Sequence, residues 1–93
     1  MLDKMKQLME LKRQADTIKR ELEAVSVDVQ EVRGIKLTIN GSQQFKSIEI
    51  DEVLLNPANK ARLQVDLLRS LNTAVAKSQG VAAQRMKNVL PGF

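Results

Sequence analysis

Arg62, Arg69, Lys77 and Lys87 recur at spacings that bring them within roughly 80° of one another on a helix of 3.6 residues per turn. Nearer the start, Lys6, Arg13 and Arg20 repeat every seven residues, and Lys12 and Lys19 extend that row. Rows of guanidinium and ammonium groups suit an array of phosphates, which arginine's planar fork can hold through paired hydrogen bonds. A merely solvated basic face is the bland alternative, and around the first row Glu10, Asp16 and Glu21 dilute the field. Glu49, Asp51 and Glu52 also cluster. They read as a solvated strand end, with Asp51 capping the following turn, rather than as a divalent-cation site. Little else could do chemistry. The chain has neither Cys nor His, which removes thiolate nucleophiles, imidazole bases, disulfides and the usual zinc sites. It also has no phosphate-cradling glycine loop and no nucleophile–base pairing. The expectation is a protein that is not an enzyme, with no cofactor, no metal and no small-molecule substrate.

Charge points to where a partner binds. The 93 residues carry 15 Lys and Arg against 11 Asp and Glu, a net charge of +4. Residues 1–24 are nearly balanced and residues 25–52 are acidic, whereas 53–93 hold six basic side chains and one acid, Asp66. That excess favours an anionic partner. No Trp, no Tyr and only Phe45 and Phe93 leave no aromatic platform for unpaired bases. Double-stranded DNA, gripped mainly by its backbone, fits better. Apolar stretches such as Val53-Leu54-Leu55 are far too short to span a bilayer, and the N-terminus alternates charge with Leu and Met instead of forming a signal peptide. A cytoplasmic address without a membrane partner is expected, as is a single domain over 1–93.

The elements that would carry these residues form an α+β chain. Residues from about Leu2 to Leu22 favour helix, and Leu8, Leu11, Ala15, Ile18, Leu22 and Val25 trace a narrow apolar seam. Lys6–Glu10, Asp16–Arg20 and Lys19–Glu23 stand at ion-pair spacing. Val25, Val27 and Val29 then alternate with polar residues as a strand, Val32 breaks the phase, and Gly34 marks a turn or bulge near 31–34. Ile35, Leu37 and Ile39 form the clearest strand, closed by Asn40-Gly41, a pair that tolerates positive φ in a hairpin. A third strand runs from about Gln44 to Ile50 and completes a three-stranded antiparallel meander. Its register stays open: a three-residue loop would put Leu37 opposite Phe45, but Ile48 and Ile50 would then need a bulge. The apolar turn Val53-Leu54-Leu55 is expected to pack under the sheet. Asn56 as cap and Pro57 at the first position start a long helix that reaches about Val89 and stops at Pro91-Gly92. Leu63, Leu67, Leu68, Leu71, Ala74, Val75, Ala82, Met86 and Val89 share its broad apolar face, with the basic row opposite. Gly80 reads either as a kink or close crossing, or as a surface glycine. Two helices and one small sheet leave more apolar face than one protomer covers, which a symmetric homodimer would resolve.

In order and spacing, several pieces resemble one known family. They are Lys36-Leu37-Thr38-Ile39-Asn40-Gly41, Ser47-Ile48-Glu49-Ile50-Asp51 followed by Val53-Leu54-Leu55, Leu71-Asn72-Thr73-Ala74, and the ending Leu90-Pro91-Gly92-Phe93. Together they resemble the YbaB/EbfC nucleoid-associated proteins over nearly the whole chain. The resemblance implies a tweezer-shaped homodimer whose helices project from a central sheet. It also implies a cytoplasmic, nucleoid-located DNA-binding protein with a role in organising DNA and in gene expression. It fixes no individual binding residues, so Arg62, Arg69, Lys77, Lys87, Lys6, Arg13 and Arg20 rest on helix geometry alone. A prefoldin-like chaperone or protein-interaction module is the alternative, although helices of about 21 and 33 residues would pair unequally.

Overall fold

Helix α1 spans Leu2–Ala24, and the chain then forms three antiparallel strands in the order β1-β2-β3: β1 Ser26–Val32, β2 Ile35–Asn40 and β3 Phe45–Ile50. Helix α2 follows over Lys60–Val89. The computed structural model describes residues 2–89, so the expected stop at Pro91-Gly92 and the Leu90–Phe93 ending lie outside the described residues.

The strands show how the valine pattern is accommodated. Between Val29 and Val32 the β1–β2 register slips, leaving Gln30 and Glu31 both exposed. This bulge restores the phase, so that Val29 is buried and Val32 half-buried on the same face. Val32 pairs with Ile35 across the tight turn Arg33-Gly34, where Gly34 takes φ 92°.

The second hairpin differs from the expected one. Asn40 is the last residue of β2, and the left-handed position is Gln43, with φ 63°, not Gly41. The Asn40 side chain organises the loop instead. Its Oδ1 accepts from the amides of Ser42 at 3.0 Å and Gln44 at 2.9 Å, while its Nδ2 donates to Gln44 Oε1 at 2.9 Å. Gly41 is needed for close approach: its amide donates to the Leu22 carbonyl at 2.8 Å, and an added Cβ would fall 2.9 Å from that oxygen. The β3 register, open in the sequence, is fixed by the fold. Phe45 faces Ile39, while Ile48 faces Leu37 and Ile50 faces Ile35, with the slip between Thr38 and Ile39.

Helix α2 lies across β1 and β2. Val29, Ile35, Leu37, Ile39 and Ala74 are buried, flanked by Val27, Val32, Leu54, Leu63, Leu67, Leu71 and Val75. Each large aliphatic side chain so buried contributes about 2 kcal/mol. The most deeply buried line of α2 is Asp66, Ser70, Ala74 and Ser78, not the leucine stripe. These small side chains let the helix approach closely, with Leu63, Leu67, Leu71 and Val75 half-buried on its flanks. Leu68, expected on the apolar face, is exposed. Of the turn before α2, only Leu54 packs inward, while Val53 and Leu55 are exposed. Asp51 makes no side-chain cap for that turn. Asn56 does not cap with its side chain either: its Nδ2 donates back to the Val53 carbonyl at 3.2 Å, and Pro57 opens a single 3-10 turn ahead of α2. A Cβ on Gly80 would meet nothing within 4 Å, so this glycine marks no close crossing.

Both helices continue past one end of the sheet. Leu22 abuts Gly41 there, Ser78 bonds to Asn40, and α2 runs on antiparallel to α1. Leu11, Ala15, Ile18, Leu22 and Met86 line an apolar hollow of about 410 Å³ between the two helices. The result is a rod of 67 × 20 × 17 Å. The N-terminal half of α1 is exposed, including Leu2, Met5, Leu8, Met9 and Leu11.

Candidate nucleic-acid interface

The basic row of α2 follows from the helix's orientation on the sheet. Arg62, Arg69, Lys77 and Lys87 are all exposed. They do not lie opposite the buried face, however; they run along one flank, because the buried face centres on the Asp66–Ser78 line rather than on leucine. Leu71 lines a hollow with Phe45 and Ile48, so that side of α2 looks toward β3. Asp66, about 140° from Leu71 around the helix, is the end of the buried line that borders the basic row.

Two of the four cations converge on this acid. Arg62 donates from Nε to Asp66 Oδ2 at 3.1 Å, and Arg69 donates from Nη2 to Oδ1 at 3.5 Å. The carboxylate is mostly buried, with 12% of its side chain exposed, whereas Arg62 and Arg69 are 76% and 58% exposed. Ser70, packed beside it, donates its hydroxyl to the Asp66 carbonyl at 2.8 Å. Among the described residues, Lys77 and Lys87 have no carboxylate within 4 Å.

On α1, Lys6, Arg13 and Arg20 are likewise exposed. Arg13 pairs with Glu10 at 3.5 Å, one turn away, in place of the expected Lys6–Glu10 contact. Among the described residues, the expected Asp16–Arg20 and Lys19–Glu23 pairs do not form either. Exposed pairs of this kind contribute little, about 0.5 kcal/mol, and leave arginine free to turn to another anion. No group of three or more acidic side chains among the described residues is arranged to hold a metal ion, Glu49, Asp51 and Glu52 included.

This arrangement puts cations outward on a long helical rod. The profile of the YbaB/EbfC DNA-binding family matches residues 1–93. The chain belongs to that family. A nucleoid-associated protein of Moorella thermoacetica is 30% identical over 95 residues, covering 96% of this chain and 91% of the relative. Another, from an Anaeromyxobacter species, is 28% identical over 90 residues, covering 96% and 87%. The fold recurs in the crystal structure of an uncharacterized Helicobacter pylori protein, with a TM-score of 0.77 at 18% identity over 89% of this chain and 88% of that one.

In this YbaB/EbfC chain, two of the segments that carried the resemblance help to build the fold. Asn40-Gly41 joins α1 to the hairpin. Within Leu71-Asn72-Thr73-Ala74, Ala74 is buried against the sheet and Asn72 is exposed beside Val65 and Leu68. The residue that sequence reasoning left without a role is Asp66. Its spacing of four from Arg62 and three from Arg69 was the available signal. Lys60 and Arg85, outside the expected rows, are exposed as well. Among the described residues, no helix is long and apolar enough to cross a membrane.

Proposed function

We propose that this YbaB/EbfC protein is a non-enzymatic, homodimeric component of the nucleoid that binds double-stranded DNA mainly through backbone phosphates. Through that binding it organises the chromosome and affects gene expression. The observation that carries this reading is the outward display of Arg62, Arg69, Lys77 and Lys87 on α2, with Lys6, Arg13 and Arg20 on α1. Such contacts position a protein on a duplex without reading its sequence. Support for the dimer comes from the uncovered half of the sheet. Phe45 and Ile48 point to the same side as the buried Ile39 and Leu37 yet remain 43% and 51% exposed. Leu68 and Val65 extend this apolar surface along α2. A second copy laid against it would cover both.

The test is a gel-shift titration on duplex DNA at varied salt, using protein of known oligomeric state. If a dimer neutralises about 5 phosphates, log affinity falls with log salt at a slope near −4.5. Absence of any complex at low salt would sink the reading. One observation favours the chaperone-like alternative: the bare apolar side chains on the outer half of α1. Light scattering separates the two, since a DNA-binding dimer supports the nucleoid role and an aggregation-suppressing hexamer supports the alternative.

A further inference from the structure

We propose that Arg62, Asp66 and Arg69 form one shared seat for a single DNA phosphate, with Asp66 as its positioning residue. The inference rests on the DNA-binding reading and refines it. Seven residues of helix place the Cα atoms of Arg62 and Arg69 about 10.5 Å apart, far enough for two separate contacts along a backbone. The structure gathers them instead. Both guanidinium groups have a nitrogen within 3.5 Å of the Asp66 carboxylate, one on each oxygen.

Burial divides the roles within this group. The carboxylate lies beneath, with 12% of its side chain exposed, and the two arginines cover it on the solvent side. An approaching duplex therefore meets guanidinium edges, not the acid. Each arginine has five N–H donors and spends one on Asp66, so most of them remain available for a ligand. Two cations and one anion leave a net charge of +1, which matches one phosphodiester. The carboxylate also restrains two long side chains that would otherwise lose rotamer freedom on binding. Lys77 and Lys87, without such an anchor among the described residues, act as separate point charges.

The test is additivity in the salt dependence of duplex binding. Wild type, Arg62→Gln, Arg69→Gln and the double variant are titrated on one generic duplex. A shared seat predicts that each single variant lowers the slope by about 0.9 per bound protomer and that the double variant lowers it no further. Two independent contacts predict a loss of about 1.8 in the double variant, and that result would overturn the proposal. In an Asp66→Asn background the arginines are no longer gathered, and the two losses become additive. If they stay non-additive there, Asp66 is not the organiser. Thermal melting checks that Asp66→Asn folds, and the wild-type series decides the question of sharing even if it does not. Duplex binding that keeps its full slope in all the arginine variants overturns the seat but not DNA binding. Failure of the wild type to bind any duplex overturns both.

Discussion

Ser78 on α2 donates its hydroxyl hydrogen to the main-chain carbonyl of Asn40 over 2.7 Å, and both residues are buried. That bond sits where three elements meet. The Asn40 side chain holds the β2–β3 loop and reaches the Glu23 carbonyl at the end of α1, at 3.4 Å. The next residue, Gly41, donates its amide hydrogen to the Leu22 carbonyl. The parts of α1 and α2 that run beyond the sheet are thus aimed from one point. The cations they carry, Lys6, Arg13, Arg20 and Lys87, depend on it for their placement.

Removing either partner should therefore destabilise the fold, but unequally. Asn40→Ala deletes two accepted amide bonds and two donated ones, an expected loss of about 2 kcal/mol. Ser78→Ala is milder, about 1 kcal/mol, because the Gln43 amide still donates to the Asn40 carbonyl at 3.3 Å. Urea denaturation gives the ranking directly. A larger loss in Ser78→Ala than in Asn40→Ala would show that the helix contact, not the loop, dominates this junction.

The glycines offer a contrast of sign. An alanine at Gly41 would press its Cβ to 2.9 Å from the backbone oxygen of Leu22, and backbone cannot step aside cheaply. The expected cost is about 1–3 kcal/mol, with α1 displaced from the hairpin. Gly80→Ala meets no atom within 4 Å on a helical backbone, so it should stabilise by about 1 kcal/mol. Melting temperatures of the two variants should move in opposite directions. A drop for Gly80→Ala would indicate that another surface packs there in solution.

Much of this architecture could be read from residue order. The alternation of Ile35, Leu37 and Ile39, the phase break before Val32, and the uninterrupted helix formers of α1 each have one local solution, which the fold adopts. What escaped were features decided by distance rather than hydrophobicity. The centre of α2's buried face is Asp66-Ser70-Ala74-Ser78, because small side chains allow close approach, a criterion invisible to a pattern that ranks leucine first. Asn40-Gly41 matches a turn signal, yet the loop puts positive φ at Gln43 and uses the glycine against α1. For the candidate site, the exposure of the basic rows was legible, whereas the pairing of Arg62 and Arg69 through Asp66 required the helix's orientation on the sheet.

The proposed dimer surface can be challenged at one residue. Ile48 is half-exposed on the open side of β3, so Ile48→Asp should leave the protomer's own core intact. In a dimer across that face, it would bury two unpaired carboxylates, a cost of several kcal/mol. Light scattering should then report a monomer that still melts cooperatively. A variant that stays dimeric would move the interface away from β3.

The α1 row makes the last prediction. Lys6, Arg13 and Arg20 are exposed, so replacing all three with Gln should change folding stability by about 0.5 kcal/mol or less at each site. If the row holds one phosphate in each protomer, the slope of log affinity against log salt falls by about 0.9 per bound protomer, or about 1.8 of the roughly 4.5 expected for the dimer. Because phosphates carry no sequence information, the loss should be the same for every duplex tested. A loss that depends on the duplex would mean that one of these side chains reads base edges in a groove, where a single good contact is worth about 1–3 kcal/mol of discrimination. An unchanged slope would confine the DNA contact to α2.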